Sequence, residues 1–290
     1  MKEDKLLNDT LLIMEENGTK EAYYYLKSKL CGISLTGQIY NFLYCLAALN
    51  GYKEEALKWM EEAIILNNIW YRPEVFLDKD LKILKENERF RDCMKLSEKR
   101  YMAAKKRTDT VLTWKQKNSD FLFVALHGNQ DNMINSMEKW EFLNYHYGQV
   151  EYIQSKDIDS CDLYRWEDNS QLKTCIEKIP WDSYKERTLC GFSAGCNVIL
   201  ETLLDEDVRC ERVILLGPWI PIFEIHREHL IKILGKIEVI IVCGLNDRDC
   251  LDMARELNSC LDKSKLILLD GVGHELPGDF SQIIKEAMEN

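Results

Sequence analysis

The 290-residue chain is 46% hydrophobic and carries a net charge of −11, a composition typical of a folded globular protein with a sizeable core. Residues 1–105 hold 17 basic and 17 acidic residues, whereas the rest hold 21 and 32, so the second part lacks the basic surface that a nucleic acid partner needs. No N-terminal segment resembles a signal peptide and no apolar stretch of about 18 residues is present, which predicts no membrane partner.

Helical spacing of apolar residues dominates the chain from residue 1 to about residue 106. One apolar stripe runs over Leu6–Ile13, and a second helix begins at Tyr23 and ends before Gly32. No convincing strand pattern interrupts this part. We therefore expect an all-α domain over residues 1–106.

Residues 40–68 carry the most specific pattern in that domain. Tyr40 and Leu43 occupy positions of large residues in a first helix, Gly51 ends it, and Ala56 and Ala63 are the small residues that let a second helix approach closely. This pattern resembles a tetratricopeptide repeat, and Trp70–Tyr101 resembles a degenerate last repeat. The resemblance implies a possible protein or peptide partner, although a plain helical bundle without a binding groove explains the pattern equally well.

A polar stretch, Lys105–Thr110, is followed by a different pattern of short apolar runs that alternate with helical segments. Such alternation predicts an α/β domain over residues 107–290 with a mostly parallel sheet. The predicted strands are Val111–Trp114 (a weak, edge strand), Phe121–Leu126, Val150–Ile153, the run before the Gly191 motif, Arg212–Leu216, Glu238–Cys243 and Leu266–Leu269. The predicted helices are Met133–Tyr147, Asp168–Ile179, Ala194–Leu204, Ile225–Leu234, Cys250–Leu261 and Phe280–Met288.

Gly191-Phe-Ser-Ala-Gly195 is a G-x-S-x-G pattern at a predicted strand-to-helix turn. The glycines make room for a strained backbone at Ser193, and the N–H of Ala194 opens the following helix, where its dipole favours an oxyanion. With the strand order, this motif resembles the α/β-hydrolase fold, most nearly its small lidless carboxylesterases. The resemblance implies that Ser193 is a nucleophile.

A serine nucleophile needs a base and a carboxylate that orients the base. The resemblance implies His274, which follows the last predicted strand, as the base. It implies Asp247, in the loop after the penultimate strand, as the acid. Asp249 and Asp270 remain alternatives for the acid. The chain order of serine, acid and histidine is that of α/β-hydrolases.

The His127-Gly128-Asn129 turn follows the first strong strand. In the family this turn completes the oxyanion hole, so a backbone N–H of Gly128 or Asn129 is expected to act with that of Ala194, while His127 has a structural role. The resemblance makes a small carboxylic ester the expected substrate. Thioester or peptide cleavage, or an interaction protein with an inactive hydrolase-like domain, are the alternatives.

Trp219, Ile220 and Phe223 follow another strand end and are expected to line an apolar substrate pocket, although packing in the interior would explain them as well. We expect no cofactor and no metal: the eleven cysteines are scattered without a C-x-x-C pair, and the spacing of His226 and His229 fits a solvated helix face. Reduced, mostly buried thiols predict a cytoplasmic protein.

Overall fold

The computed structural model describes residues 3–205 and 208–289. The chain divides into two compact units, one made of Met1–Thr108 with Ile158–Cys161 and the other made of Asp109–Asp157 with Asp162–Asn290. The sequence predicts a boundary at residue 106, and the structure adds four residues from the α/β part to the helical unit. No helix within the described ranges is long and apolar enough to cross a membrane.

The helical unit contains five α-helices among its described residues, joined by short turns. They are α1 (Glu3–Asn17), α2 (Thr19–Ser28), α3 (Gly37–Leu49), α4 (Lys53–Glu61) and α5 (Glu88–Lys105). Gly51 makes the α3–α4 turn with a φ of 75°, and Ala56 and Ala63 are fully buried, as close helix packing requires. These contacts fit a helical hairpin; its identity as a tetratricopeptide repeat stays a prediction.

The segment after α4 differs from the expected continuation of repeats. A π-helical turn (Glu62–Leu66) ends the hairpin, and two 3₁₀ turns, Pro73–Leu77 and Lys79–Leu84, stand where a repeat would place a helix. Pro73 begins the first turn, and the Asp78 carboxylate accepts a hydrogen bond from Asp80 N at 2.9 Å in the second. These local caps favour tight turns over a continuous helix.

The second unit is built on a seven-stranded sheet. Its strands are β1 (Val111–Leu112), β2 (Phe121–Leu126), β3 (Gln149–Gln154), β6 (Glu186–Phe192), β7 (Arg212–Leu216), β8 (Glu238–Gly244) and β9 (Ser264–Leu269). Their order across the sheet is β1-β3-β2-β6-β7-β8-β9, and among the described strands of this sheet only β1 runs antiparallel to its neighbour. The edge position of β1 is as predicted. A further pair, β4 (Asp157–Ser160) and β5 (Leu163–Arg165), has no counterpart among the predicted strands.

Helices connect the parallel strands, and apolar side chains pack on both faces of the sheet. The helices are α6 (Met133–His146), α7 (Ser170–Lys178), α8 (Ala194–Leu203), α9 (Pro221–Ile225), α10 (Arg227–Leu234), α11 (Leu251–Ser259) and α12 (Phe280–Glu289). Val124, Leu215 and Ile241 lie in the core on one face, and their neighbours Ala125 and Ile214 lie in the core on the other. Such two-sided burial explains why these strands read as uninterrupted apolar runs.

The register of the sheet brings its strand ends together. Leu126 lies opposite Gly191, Leu216 lies opposite both Phe192 and Val242, and Gly244 of β8 lies opposite Leu269. The loops that follow β2, β6, β7, β8 and β9 therefore emerge at one edge, and every predicted catalytic residue lies in these loops.

Candidate active site

Ser193 lies in a sharp turn between β6 and α8 with φ 52° and ψ −122°, a strained backbone for a residue that has a Cβ. The flanking glycines make the turn possible. A Cβ on Gly191 would lie 2.8 Å from Cys196 N, and one on Gly195 would lie 2.6 Å from His127 O. The strained geometry projects Ser193 at the strand ends, as a nucleophile elbow requires.

His274 and Asp247 form a direct pair at the same edge. His274 Nδ1 lies 2.7 Å from Asp247 Oδ2, and the Asp247 side chain is 2% exposed while that of His274 is 33% exposed. The second carboxylate oxygen, Oδ1, accepts a hydrogen bond from Cys250 N at 3.2 Å. A buried carboxylate held in this way keeps the imidazole proton on Nδ1 and leaves Nε2 as the basic nitrogen.

Phe192 links the elbow to the histidine. Its ring stacks on the imidazole of His274 with centroids 4.9 Å apart and planes 26° from parallel. Ser193 Oγ, by contrast, makes no hydrogen bond to any residue in the described part of the chain.

The two rival acids lie in other surroundings. Asp249 and Asp270 are exposed, and neither forms an ion pair with a described residue. The structure thus brings Asp247 to His274 and leaves both alternatives in solvent. His226 and His229 are exposed on α10 and the turn before it, as the solvated-face interpretation predicts.

The expected oxyanion donors lie close to the elbow. Ala194 is the first residue of α8, and a Cβ on Gly128 would lie 3.1 Å from Ser193 Cβ. The N–H of Gly128 already points to Asp131 Oδ2 at 3.4 Å, whereas Asn129 is exposed with its side-chain oxygen bound to Trp166 N at 3.0 Å. The Gly128 N–H therefore already has an acceptor, and Asn129 is the other donor that the sequence predicts.

His127 is fully buried beneath this turn and its contacts define its tautomer. Nδ1 lies 2.6 Å from Gly128 O and therefore donates, while Nε2 accepts from Ser155 N at 3.1 Å. Burial lowers the pKa of His127 to about 4, so the imidazole is neutral, and its ring stacks on Trp166 at 4.8 Å. These contacts give His127 the structural role that the sequence predicts.

A buried ion pair next to the same turn has no counterpart among the predicted site residues. Lys139 of α6 lies 3.2 Å from Asp131 Oδ2, and its ammonium group lies 4.8 Å from the centre of the Phe192 ring. Asp131 Oδ1 also accepts from Asn132 N and Asn135 Nδ2, both at 2.8 Å. The pair therefore contacts both the turn after β2 and the residue before Ser193. A lysine on the buried face of α6 was the only sequence signal for it.

Two small residues border the Asp247–His274 pair. Gly217, with a φ of 50°, approaches so closely that a Cβ would lie 3.2 Å from both Asp247 Oδ2 and His274 Nδ1. Cys250 Sγ lies 3.6 Å from His274 Nδ1, and burial raises the pKa of this thiol well above its usual range. Asp247 and Cys250 are both buried here, whereas the His274 side chain as a whole is 33% exposed.

The predicted substrate-pocket residues differ in exposure. Trp219 is 40% exposed, whereas Ile220 and Phe223 are 1% and 2% exposed and pack in the core of the sheet. Ile220 N also contacts Met253 Sδ at 3.3 Å. The interior-packing alternative thus describes Ile220 and Phe223, and of the three residues Trp219 is the one that a bound molecule can reach.

Two cavities lie away from the strand-end loops. One of about 710 Å³ is bordered by Arg187, Glu211 and Ile237, at the amino ends of β6, β7 and β8. A smaller one of about 320 Å³ lies between the end of α10 and the start of β9. Both are at the opposite end of the sheet from Ser193, where substrates of parallel α/β sheets do not bind.

Comparison with known proteins supports the fold in both units. A family described as "A/B hydrolase-like, N-terminal domain" matches residues 2–105. A crystal structure of an uncharacterized Bacillus cereus protein is 30% identical over 100% of this chain and 98% of its own, with a TM-score of 0.55. A Thermoplasma acidophilum protein described as a "predicted CIB-like hydrolase" is 18% identical over 63% of this chain and 96% of its own, with a TM-score of 0.51. A search of curated proteins finds no match.

Proposed function

Because the chain belongs to the α/β-hydrolase superfamily, we propose that it is a serine hydrolase that cleaves a small carboxylic ester through a triad of Ser193, His274 and Asp247. The observation that carries the proposal is the 2.7 Å pair of His274 and Asp247 at the strand edge where the strained Ser193 emerges. A buried acid paired with a partly exposed histidine beside an elbow serine has the composition and placement of an acyl-transfer site.

In the proposed reaction, Ser193 Oγ attacks the ester carbonyl carbon as His274 Nε2 takes the hydroxyl proton. Asp247 holds the Nδ1 proton and stabilises the imidazolium that forms. The negative charge on the carbonyl oxygen is stabilised by the N–H groups of Ala194 and Asn129. The imidazolium then protonates the departing alkoxide, which leaves an acyl-serine.

The second half repeats these steps with water. His274 Nε2 takes a proton from water, the hydroxide attacks the acyl carbon, and the proton returns to Ser193 Oγ as the carboxylic acid leaves. Phe192 stacks on His274 and so supports the plane of the imidazole. The exposed indole of Trp219 offers an apolar contact for the acyl or alcohol group of a small substrate.

We also assign the protein to the cytoplasm. All eleven cysteines are free thiols, seven of them buried, and no pair forms a disulfide. A chain so rich in unpaired thiols suits a reducing compartment. The helical unit is proposed as the site of any protein or peptide partner.

An active-site fluorophosphonate tests the assignment, because it reacts only with a serine that a base has activated. In the wild-type protein, Ser193 Oγ should displace fluoride from the reagent and become phosphonylated. Peptide mass spectrometry locates the modified residue. Ser193→Ala should not label, while Ser183→Ala, which removes an exposed serine, should label like wild type. Labelling elsewhere, or none with well-folded protein, would overturn the triad.

A substrate panel separates the ester from its alternatives. Purified protein is assayed with p-nitrophenyl acetate, a short acyl thioester and an aminoacyl amide, each against Ser193→Ala. We expect the ester to give the highest kcat/KM. Faster thioester or amide cleavage would reassign the bond, and labelling without turnover of any of the three would contradict the small-ester proposal.

A further inference from the structure

Three side chains of different chemistry converge on the Nδ1 side of His274. A carboxylate oxygen of Asp247, Sγ of Cys250 and Nδ1 of His274 all lie within 4.8 Å of one another. They come from the loop after β8, the residue that precedes α11, and the loop after β9. The triad as proposed uses only two of them, so the buried thiol has no part in the hydrolytic chemistry.

The three atoms form a set that suits a borderline-soft divalent cation. Sulfur, imidazole nitrogen and one carboxylate oxygen select Zn²⁺ over Mg²⁺ or Ca²⁺, which prefer oxygen ligands. The separation of 3.6 Å between Cys250 Sγ and His274 Nδ1 is close to the roughly 3.5 Å that a tetrahedral ion spans with bonds of about 2.3 and 2.0 Å. The 2.7 Å separation of Nδ1 from Asp247 Oδ2 must open by only about half an ångström.

We propose that Zn²⁺ binds Asp247, Cys250 and His274 and that its binding reversibly inhibits the hydrolase. The inhibition rests on the proposed hydrolase function, whereas the binding of Zn²⁺ does not. Water completes the coordination, as it does in zinc sites with three protein ligands. The partly exposed His274 side chain gives the ion its route to the buried donors.

Binding and catalysis exclude each other because they need different tautomers of His274. The resting imidazole carries its proton on Nδ1, bonded to Asp247, and presents a lone pair on Nε2. Zn²⁺ on Nδ1 moves that proton to Nε2, and the Cys250 thiol proton is released to solvent as the zinc–thiolate bond forms. The imidazole then has no lone pair with which to accept the Ser193 proton, so acyl transfer stops.

The neighbouring thiols make the choice of Cys250 testable. Cys243 Sγ lies 4.0 Å from Asp247 Oδ2 and does not belong to the three-atom set. Cys260 is at the far end of α11 from Cys250 and lies beside Arg227. Cys260→Ser is therefore a matched control that removes a thiol from the same helix without touching His274.

Inhibition by ZnCl₂ is measured on p-nitrophenyl acetate hydrolysis, each variant against its own metal-free rate, with reversal by a chelator. In Cys250→Ser and Cys250→Ala the Zn²⁺ concentration for half-inhibition should rise by at least roughly 10- to 100-fold. Loss of a residue that only hydrogen-bonds to a metal ligand already weakens metal affinity by that factor. Cys260→Ser and His229→Gln should match wild type. Unchanged inhibition in both folded Cys250 variants, or its loss in His229→Gln, would overturn the site.

A binding experiment separates this inference from the hydrolase assignment. Co²⁺ replaces Zn²⁺ in tetrahedral sites and gives a thiolate charge-transfer absorption. Ser193→Ala should show that absorption, since Ser193 is not a ligand, and Ser193→Ala/Cys250→Ser should not. The band in the single variant supports the site even if no ester is cleaved. A missing band in Ser193→Ala, or one that persists in the double variant, would refute the site whatever the enzyme assay gives.

Discussion

Ser193 combines a strained backbone with a hydroxyl that makes no hydrogen bond to the described residues around it, two features that packing alone does not require. If it is the nucleophile, Ser193→Ala should lower turnover of a good ester by about 10⁴-fold or more, because the pocket and oxyanion donors remain but the attacking oxygen is gone. Steady-state hydrolysis of p-nitrophenyl acetate measures the loss, with Ser183→Ala as the control. A variant that keeps most of the wild-type rate would exclude Ser193.

Of the three candidate acids, only Asp247 contacts His274. Asp247→Asn should reduce kcat by about 10⁴-fold, as loss of the acid does in a serine protease triad, because an amide favours the wrong imidazole tautomer. Asp249→Asn and Asp270→Asn should have small effects, since both carboxylates are exposed. Comparable, small losses in all three variants would place the acid elsewhere.

His127 makes stability depend on pH. Burial lowers its pKa to about 4 from an ordinary value of 6.5, so between these values the unfolded chain binds a proton that the folded chain does not. The stabilisation is complete above pH 6.5, and it is lost as the pH falls from 6.5 to about 4. Two or three pKa units correspond to about 3 kcal/mol of unfolding free energy.

Urea unfolding at pH 7, 6 and 5 measures this dependence. His127→Gln should flatten the part of the profile between pH 7 and 5. The exposed His146→Gln should leave it unchanged. Identical pH slopes in wild type and His127→Gln would show that another group causes any acid sensitivity.

The turn between β2 and α6 depends on the buried Lys139–Asp131 pair. Lys139→Met leaves the Asp131 charge buried without its cation, and we expect a loss of about 3–5 kcal/mol in unfolding free energy. Adding Asp131→Asn to that variant should recover part of the loss. Denaturant titration gives the values.

The partly exposed Lys173–Asp205 pair, 2.9 Å apart, provides the matched comparison. Lys173→Met should cost less than about 1 kcal/mol, as surface ion pairs do. Equal losses of unfolding free energy in Lys139→Met and Lys173→Met would mean that burial does not strengthen the Lys139–Asp131 pair.

Most of the sheet could be predicted because parallel strands buried on both faces appear as continuous apolar runs. Glu238–Cys243, for example, differs from the observed β8 by one residue. The β4–β5 pair could not be predicted in this way: its strands are three and four residues long and mostly polar. The predicted helix Ile225–Leu234 corresponds to α10, which begins at Arg227 because His226 leaves helical geometry with a φ of −120°. The short helix before it, α9, was not predicted.

In the candidate site, too, some residues could be predicted from the sequence and others could not. Ser193, Asp247 and His274 follow strand ends, where motif and chain order point to them. Lys139 and Cys250 depend on contacts across separate elements, to Phe192 and His274, and no spacing in the sequence encodes such contacts. A single sequence therefore predicts the reacting groups better than the residues that surround them.

At the scale of the whole molecule, the helical unit includes a segment that the α/β part of the chain supplies. Asp159 O accepts a hydrogen bond from Arg72 N at 3.2 Å, Cys161 N donates to Trp70 O at 2.9 Å, and Arg72 Nε lies 3.1 Å from the buried Asp159 carboxylate. Ile158 is 6% exposed. Removal of residues 1–108 leaves these groups in residues 109–290 without their partners.

We therefore expect the fragment 109–290 to be less stable than the full chain, and poorly soluble. Exposing Ile158 costs about 1.5–3 kcal/mol, and each lost hydrogen bond costs roughly another 1 kcal/mol. Thermal melting, solubility and fluorophosphonate labelling are compared between the fragment and the full chain. In the full chain, Ile158→Ala measures how much stability the apolar contact contributes. Arg72→Leu measures how much the Arg72–Asp159 ion pair contributes. The expectation is contradicted if the fragment is soluble, melts cooperatively at the same temperature as the full chain and labels fully. In that case the contacts of Ile158–Cys161 with residues 1–108 contribute nothing to the stability of residues 109–290, and the helical unit is an independent module.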